Sequence, residues 1–164
     1  MDVFPRAELF RLINRTTLPG INPEEVRGLR EWIRRNGDQF EELRFNVRVG
    51  VGHTLEGDYT EKFKADWYER GRPKPDLVAV RGPSTHLVIE AKVQWMNDAV
   101  WQLLHYRDLY HEEFPELAIE LAGVCEAYTE QARRLAASSG IKLYVYGFPG
   151  ELPLESASSS EVPG

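Results

Sequence analysis

The sequence predicts an α/β fold in which a central mixed β-sheet is flanked by helices. Three observations support this class. Helically spaced apolar residues occur in the N-terminal part, two valine-rich segments in the middle are separated by a short turn, and strand and helix segments alternate after them. After a first helix, the predicted order is helix, strand, hairpin, helix, strand, helix, strand.

The N-terminal part of the chain predicts two helices. Residues 6–15 carry an apolar stripe and form the first. The second starts at a cap on Asn22, with Pro23 in its first turn, and Asn36-Gly37 stops or kinks it. Residues 38–43 are expected to resume the helix. The buried residues expected on the second helix are Val26, Leu29 and Ile33.

The next part of the chain is less regular. Residues 45–51, FNVRVGV, predict a strand. Residues 52–74 mix glycine, charged and aromatic side chains and are expected to form a long excursion from the sheet. The aromatic residues of this excursion are Tyr59, Phe63, Trp67 and Tyr68.

A β-hairpin is the simplest interpretation of the middle of the chain. Residues 75–81, PDLVAVR, and 85–93, THLVIEAKV, are rich in β-branched residues, and Gly82-Pro83-Ser84 separates them. If these three residues form the turn, Arg81 pairs with Thr85. A turn of another length would slide the register.

In that register Asp76 falls directly opposite Glu90. Directly opposed residues have Cβ atoms roughly 4.5 to 5.5 Å apart, so two carboxylates there repel each other unless a cation compensates them. Period-two alternation places Lys92 on the same face as Glu90, among valines, and turns Ala91 toward an apolar layer. Glu90 and Lys92 alone also fit the solvated side of an ordinary strand.

The remaining segments complete the sheet and its helices. A helix is predicted from a cap on Asn97 to about residue 114, a strand over 118–126, a helix over 129–139 and a strand over 141–147. Residues 1–150 are expected to form a single domain. The serine-rich segment 151–164 is expected to be a disordered tail.

Composition restricts the class of protein. The chain has 164 residues, without a long apolar run or a secretory signal at its start, so we expect a cytoplasmic protein with no membrane partner. The single cysteine, Cys125, excludes an intramolecular disulfide and a cysteine-only zinc site. The formal net charge of −6 argues against a uniformly basic nucleic-acid surface.

These residues resemble the signature of the PD-(D/E)XK phosphodiesterase superfamily, which has the restriction-endonuclease-like fold. The signature residues are Pro75-Asp76 and Glu90-Ala91-Lys92, and the order of elements over 22–126 is similar to its core. Gln102 and Tyr106, four residues apart on the following helix, are similar to the Q-x-x-x-Y motif of the branch that contains RecB-type nucleases. The resemblance implies a restriction-endonuclease-like core.

The resemblance also implies an activity and a set of roles. Asp76 and Glu90 would bind Mg²⁺, or Mn²⁺ in its place, with the Ala91 carbonyl as a further ligand. Lys92 would orient or help to deprotonate the attacking water. Gln102 and Tyr106 would support the site, although Tyr106 equally fits plain packing on the sheet. The first core helix often supplies another acid, for which the candidates are Glu24, Glu25 and Glu31.

The expected function is hydrolysis of phosphodiester bonds by a metal-dependent nuclease, with DNA as the substrate and a homodimer or larger complex compatible with it. Basic residues of the excursion are candidate nucleic-acid contacts, interleaved with rings that could stack on bases; they are Lys62, Lys64, Arg70, Arg72 and Lys74. One alternative is a catalytically inactive module of the same fold that binds nucleic acid or a protein. Another treats Lys92 as an amine nucleophile with Glu90 as its base.

Overall fold

The computed structural model describes residues 1–147 and contains one six-stranded mixed sheet. In their side-by-side order the strands are β1 (Asp2–Pro5), β2 (Glu42–Phe45), β3 (Leu77–Arg81), β4 (Thr85–Trp95), β5 (Ala118–Tyr128) and β6 (Ile141–Val145). Neighbouring strands from β1 to β4 are antiparallel, whereas β4, β5 and β6 are parallel. The predicted tail, 151–164, lies outside the described residues.

Within residues 1–147, five α-helices accompany the sheet. They are α1 (Leu9–Ile13), α2 (Val26–Asn36), α3 (Glu61–Gly71), α4 (Asn97–Glu113) and α5 (Glu130–Ser138). Short 3₁₀ turns at Arg6–Glu8 and Gly37–Gln39 precede α1 and follow α2. The Thr129 hydroxyl accepts a hydrogen bond from the Ala132 amide and caps α5, as its place in the sequence predicts.

Apolar layers cover both faces of the sheet. On one face, Leu29 and Ile33 of α2 pack with Ile89 and Ala91 of β4. On the other, Leu103 of α4 packs with the valines of the hairpin and with α5. This is the expected α/β class with a mixed sheet between helices. The alternation of side chains along β4 therefore turns Ala91 toward α2, and Glu90 and Lys92 to the opposite side.

The hairpin has the predicted register. Arg81 pairs with Thr85 and Leu77 with Ile89. Gly82 adopts a φ of 64°, in the left-handed region that glycine enters without strain, and so closes the turn. The predicted second half is also correct to within about two residues at each boundary, since α4, β5, α5 and β6 all form where the pattern places them.

Several predictions for the N-terminal half are wrong. Residues 38–43 do not resume the helix, because the chain makes a 3₁₀ turn and enters β2 at Glu42. The strand predicted over 45–51 ends at Phe45, since Asn46 has a φ of 55° and leaves the extended region. The pattern also missed β1, which pairs along β2.

The excursion over residues 52–74 contains a regular helix, which its irregular composition did not predict. Residues 61–71 form the regular helix α3, started by the Thr60 hydroxyl, which accepts from the Phe63 amide. Trp101 of α4 is 61% exposed. Cys125 is a free, buried thiol. Within residues 1–147, no helix is both long and apolar enough for a bilayer crossing.

Candidate active site

The centre of the sheet gathers the acids and the lysine of the predicted motif. Asp76 directly precedes β3, one position beyond the Leu77–Ile89 pair, and so continues the ladder toward Glu90. Its Oδ2 accepts a hydrogen bond from the Ala91 amide at 2.8 Å. The structure therefore brings Asp76 against the Glu90-Ala91-Lys92 segment, as the register predicts.

Glu90 is the most deeply buried acid of this group. Only 1% of the residue is exposed. Burial and then the charge of Asp76 raise the pKa of its carboxyl well above the ordinary range, and the attraction of Lys92 offsets this only in part. Its Oε1 accepts from Lys92 Nζ at 2.6 Å, whereas its buried Oε2 has no hydrogen-bond partner within residues 1–147. Within the described residues, that oxygen is therefore an acceptor available to a ligand.

Burial and the charge of Lys92 also act on the carboxyl of Asp76. Burial raises the pKa of its carboxyl, against the lowering effects of the Ala91 amide and Lys92. The positive charge of Lys92 lowers the pKa of both acids. Burial alone would lower the pKa of the Lys92 amine, but the attraction of Glu90, Asp76 and Glu25 outweighs it and raises that pKa. Lys92 is therefore a protonated cation, which disfavours the interpretation of it as a free amine nucleophile.

A third acid, Glu25, reaches the same lysine. Its Oε1 lies 3.7 Å from Lys92 Nζ, and its Oε2 accepts from Asn22 Nδ2 at 3.0 Å. The residue is only 8% exposed. Glu24 is exposed, and Glu31 makes ion pairs with arginines of its own helix. The structure thus selects Glu25 among the three candidate acids.

A sequence signal for Glu25 existed. Glu25 comes four residues before Leu29, which is fully buried, and a further turn before Ile33. Residues four apart share a helix face, so the apolar stripe of α2 runs back into Glu25 and aims it at the sheet. The same rule places Glu24 and Glu31 off that stripe.

Gln102 and Tyr106 act together beside the site. Gln102 Nε2 donates to the Tyr106 hydroxyl at 2.7 Å, and that hydroxyl donates to the Lys74 carbonyl at 3.0 Å. Tyr106 is 4% exposed, and burial, followed by the charge of Glu90, raises the pKa of its phenol. The pair therefore fixes the backbone just before Asp76.

The basic residues of the excursion divide into two groups. Arg72 donates to the carbonyls of Gly50 and Arg48, and Lys74 donates to the Gly20 carbonyl and to Asn46. Their polar groups tie the excursion to the body of the protein. Lys62, Lys64 and Arg70 instead lie along α3, which has no buried residue.

The donors at the site suit a hard divalent cation. Asp76, Glu90 and the Ala91 carbonyl offer only oxygen, which Mg²⁺ and Mn²⁺ prefer. The unpartnered Glu90 Oε2 supplies a buried acceptor for such an ion. Within residues 1–147, no three His, Cys, Asp or Glu side chains are grouped so as to hold an ion by themselves. A bound ion would therefore keep water or substrate ligands, as Mg²⁺ commonly does.

Comparison with known proteins gives a likeness of overall structure only. No protein-family model matches the sequence, and no curated protein matches it. A repair endonuclease from Pyrococcus abyssi is 17% identical with a TM-score of 0.45, over 80% of this chain and 49% of that chain. EndoMS bound to double-stranded DNA is 16% identical with a TM-score of 0.45, over 84% and 50% of the two chains. EndoMS in its apo form is 16% identical with a TM-score of 0.40, over 79% and 49%. The chain thus spans about half the length of these solved chains.

Proposed function

We propose that this protein is a metal-dependent nuclease that hydrolyses phosphodiester bonds in DNA. The observation that carries the proposal is the buried pair of acids, Asp76 and Glu90, beside the protonated Lys92, with Glu90 Oε2 lacking a protein partner within residues 1–147. One ammonium compensates two buried carboxylates only in part, and a cation that binds both would remove the remaining cost. The resemblance of these residues to the PD-(D/E)XK signature supports the choice of substrate.

Each residue has a distinct role in this proposal. Asp76, Glu90 and the Ala91 carbonyl would hold Mg²⁺, or Mn²⁺ in its place. When bound, the ion would lower the pKa of water and neutralise charge on the scissile phosphate. The attacking water loses a proton to solvent as its oxygen bonds to phosphorus, the bond to the leaving oxygen breaks, and that oxygen takes up a proton from solvent. Lys92 donates to the phosphate or to the attacking water, since a protonated amine is a donor only.

The remaining residues position these groups. Glu25 holds the Lys92 ammonium together with Glu90, so that the amine stays over the site. The Tyr106 hydroxyl fixes the Lys74 carbonyl and hence the start of β3, where Asp76 lies. Gln102 in turn orients the Tyr106 hydroxyl. These are positioning residues, because none of their functional groups needs to touch the reacting phosphate.

The test is cleavage of end-labelled DNA, single-stranded and duplex, with Mg²⁺ and with EDTA, alongside an RNA arm. Asp76→Ala and Lys92→Ala should abolish Mg²⁺-dependent cleavage. Asp38→Ala and Lys142→Ala change exposed residues of the same types away from the site and serve as matched controls. Metal-dependent cleavage that survives both site substitutions would overturn the assignment, and cleavage of RNA alone would replace the substrate.

A noncatalytic binding module is the second candidate. It would bind nucleic acid or a protein, and the net charge of −6 favours the protein, because duplex binding depends on cations facing phosphate. The two candidates differ in their response to metal. A ligand that binds only the native state raises the apparent stability, so the nuclease should gain Tm with millimolar Mn²⁺. A Tm that is unchanged by Mn²⁺, in a protein that binds DNA without turnover, would favour the module.

A further inference from the structure

Helix α3 stands apart from the apolar core. Between Glu61 and Gly71 it has no buried residue. Its C-terminal end is tied to the body by polar contacts instead, since Arg48 donates to the carbonyls of Arg70 and Arg72, and Arg72 donates back to Arg48. Packing of the fold therefore does not account for the large aromatic side chains that this helix carries.

Phe63 and Trp67 of this helix, together with Tyr59 just before it, form what we call the aromatic ladder. They are 50%, 47% and 46% exposed. The rings of Tyr59 and Phe63 lie 5.4 Å apart at an interplanar angle of 28°, and those of Phe63 and Trp67 lie 6.3 Å apart at 26°. Phe63 and Trp67 are four residues apart in α3 and so share one face of it, and Tyr59, which precedes the helix, stacks on Phe63. The result is a row of nearly parallel flat rings in solvent.

The charges around the aromatic ladder differ from those of the whole chain. Within α3, the basic residues Lys62, Lys64 and Arg70 are matched by three acidic ones, so the helix is locally neutral although the chain carries a net charge of −6. Lys62, Asp66 and Arg70 are four residues apart and form the row of the helix next to the ladder. Two of the three side chains in that row are therefore cations. Rings with neighbouring cations fit a ligand that has flat faces and a polyanionic backbone.

The aromatic ladder is also connected to the candidate active site. α3 ends at Gly71, and five residues later the chain reaches Asp76. Five extended residues span at most about 18 Å. The hydrogen bond from the Tyr106 hydroxyl to the Lys74 carbonyl fixes this connection. The C-terminal end of α3, one helical turn after Trp67, therefore lies no further than about 18 Å from Asp76.

We propose that the aromatic ladder stacks unpaired bases of the nucleic acid on which the candidate active site acts, and this inference rests on the proposed function. Every base has a π face, so the platform binds single strands with little sequence preference. Paired bases within a duplex do not offer these faces. The ladder therefore selects single-stranded or frayed substrate, and single-stranded DNA and RNA share the chemistry it recognises.

The test measures binding without turnover, so that it does not depend on cleavage. Fluorescence anisotropy is followed with labelled oligo-dT, oligo-U and a DNA duplex of equal length in EDTA. The double variant Phe63→Ala/Trp67→Ala should weaken single-strand binding by about tenfold or more, since each base–ring stack contributes substantially. Trp101→Ala, which removes an even more exposed ring from α4, should leave binding unchanged.

A second variant separates stacking from general apolar contact. Phe63→Leu/Trp67→Leu keeps an apolar surface but removes the rings, and it should weaken binding about as much as the alanine pair. Thermal unfolding checks that both variants remain folded. Comparison of oligo-dT with oligo-U decides between DNA and RNA as the source of the bases.

Two results would overturn the inference. One is single-strand affinity that is equal in wild type and both double variants. The other is a concentration-dependent self-association of the wild type that the variants lose while single-strand affinity stays constant, which would assign the ladder to a protein interface. Failure of the proposed nuclease function would give a different result, which is strong ladder-dependent binding without any metal-dependent cleavage.

Discussion

Glu25 Oε1 and Lys92 Nζ lie 3.7 Å apart, which joins the start of a helix on one face of the sheet to a central strand. The lysine at the same time donates to Glu90 at 2.6 Å. Because two acids approach one amine from different elements, the position of that amine depends on both. Apart from the predicted motif residues Asp76, Glu90 and Lys92, Glu25 is the residue whose removal should affect the site most directly.

Replacement of Glu25 by glutamine should lower the cleavage rate by about 10- to 100-fold, the usual effect of removing a group that orients a site residue. The amide cannot attract the Lys92 ammonium as a carboxylate does. Rates of DNA cleavage under saturating Mg²⁺ measure the effect. The matched control is Glu24→Gln, which changes the exposed neighbour and should retain the wild-type rate. Equal losses in the two variants would contradict a specific role for Glu25.

Lys92→Met should make the protein depend on metal for its stability. Without the ammonium, Asp76, Glu90 and Glu25 lose the cation that they share, so Tm in EDTA should fall by several degrees, since about 1 kcal/mol corresponds to ~2–4 °C in a chain of this size. Mn²⁺ should restore more Tm in this variant than in wild type, while cleavage stays at least about 100-fold reduced. Thermal melts with and without Mn²⁺ measure this.

Lys142→Met is the control for that experiment, because Lys142 is exposed on β6. Its Tm and its response to Mn²⁺ should match wild type. A Mn²⁺ shift that is smaller in Lys92→Met than in wild type would argue that the acids at 76 and 90 do not bind a common ion.

The metal-free protein should lose stability as pH rises because of Glu90. The pKa of Glu90 is raised in the folded state by burial and by Asp76, so the folded protein keeps a proton that the unfolded chain releases. This contribution is fully present below the ordinary glutamate pKa of about 4.3 and is lost as pH rises through the raised value. A tenfold difference in proton affinity between the folded and unfolded chains corresponds to about 1.4 kcal/mol of stability.

Glu90→Gln should therefore flatten this pH dependence. The glutamine keeps the shape of the side chain but never ionises, so Tm in EDTA at alkaline pH should exceed that of wild type. The same variant should lose its stabilisation by Mn²⁺. Melts in EDTA across the pH range, read against wild type, provide the measurement. An unchanged slope of Tm with pH would show that Glu90 is not the titrating group.

Loss of the hydroxyl should lower the free energy of unfolding at one buried tyrosine of α4, Tyr106, but not at the other, Tyr110. The Tyr106 hydroxyl bonds to Gln102 and the Lys74 carbonyl, so Tyr106→Phe should cost about 1–2 kcal/mol and slow cleavage by loosening the approach to Asp76. The Tyr110 hydroxyl is buried without a hydrogen-bond partner in the described part of the chain. Tyr110→Phe should then be neutral or stabilising. Urea unfolding of both variants compares them directly, and an equal cost would contradict the assignment.

Local patterns in the sequence were sufficient where neighbouring residues decide the structure. The hairpin register follows from two valine-rich segments and a turn that glycine can close, and it brings Asp76 toward Glu90. The length of α4 follows in the same way, with Gln102 and Tyr106 one turn apart. The prediction failed at 38–51, where pairing with β1 and β3 rather than local preference sets the limits of β2.

By itself the sequence determined the α/β class, the hairpin and the proximity of two acids and a lysine, because alternation along a strand and the length of a turn are local properties. Only the tertiary structure decided that Glu25 joins Lys92, that Glu90 loses its contact with water, and that Phe63 and Trp67 remain exposed. Each of these depends on which distant element packs against a residue, and that is set by the burial of the whole core.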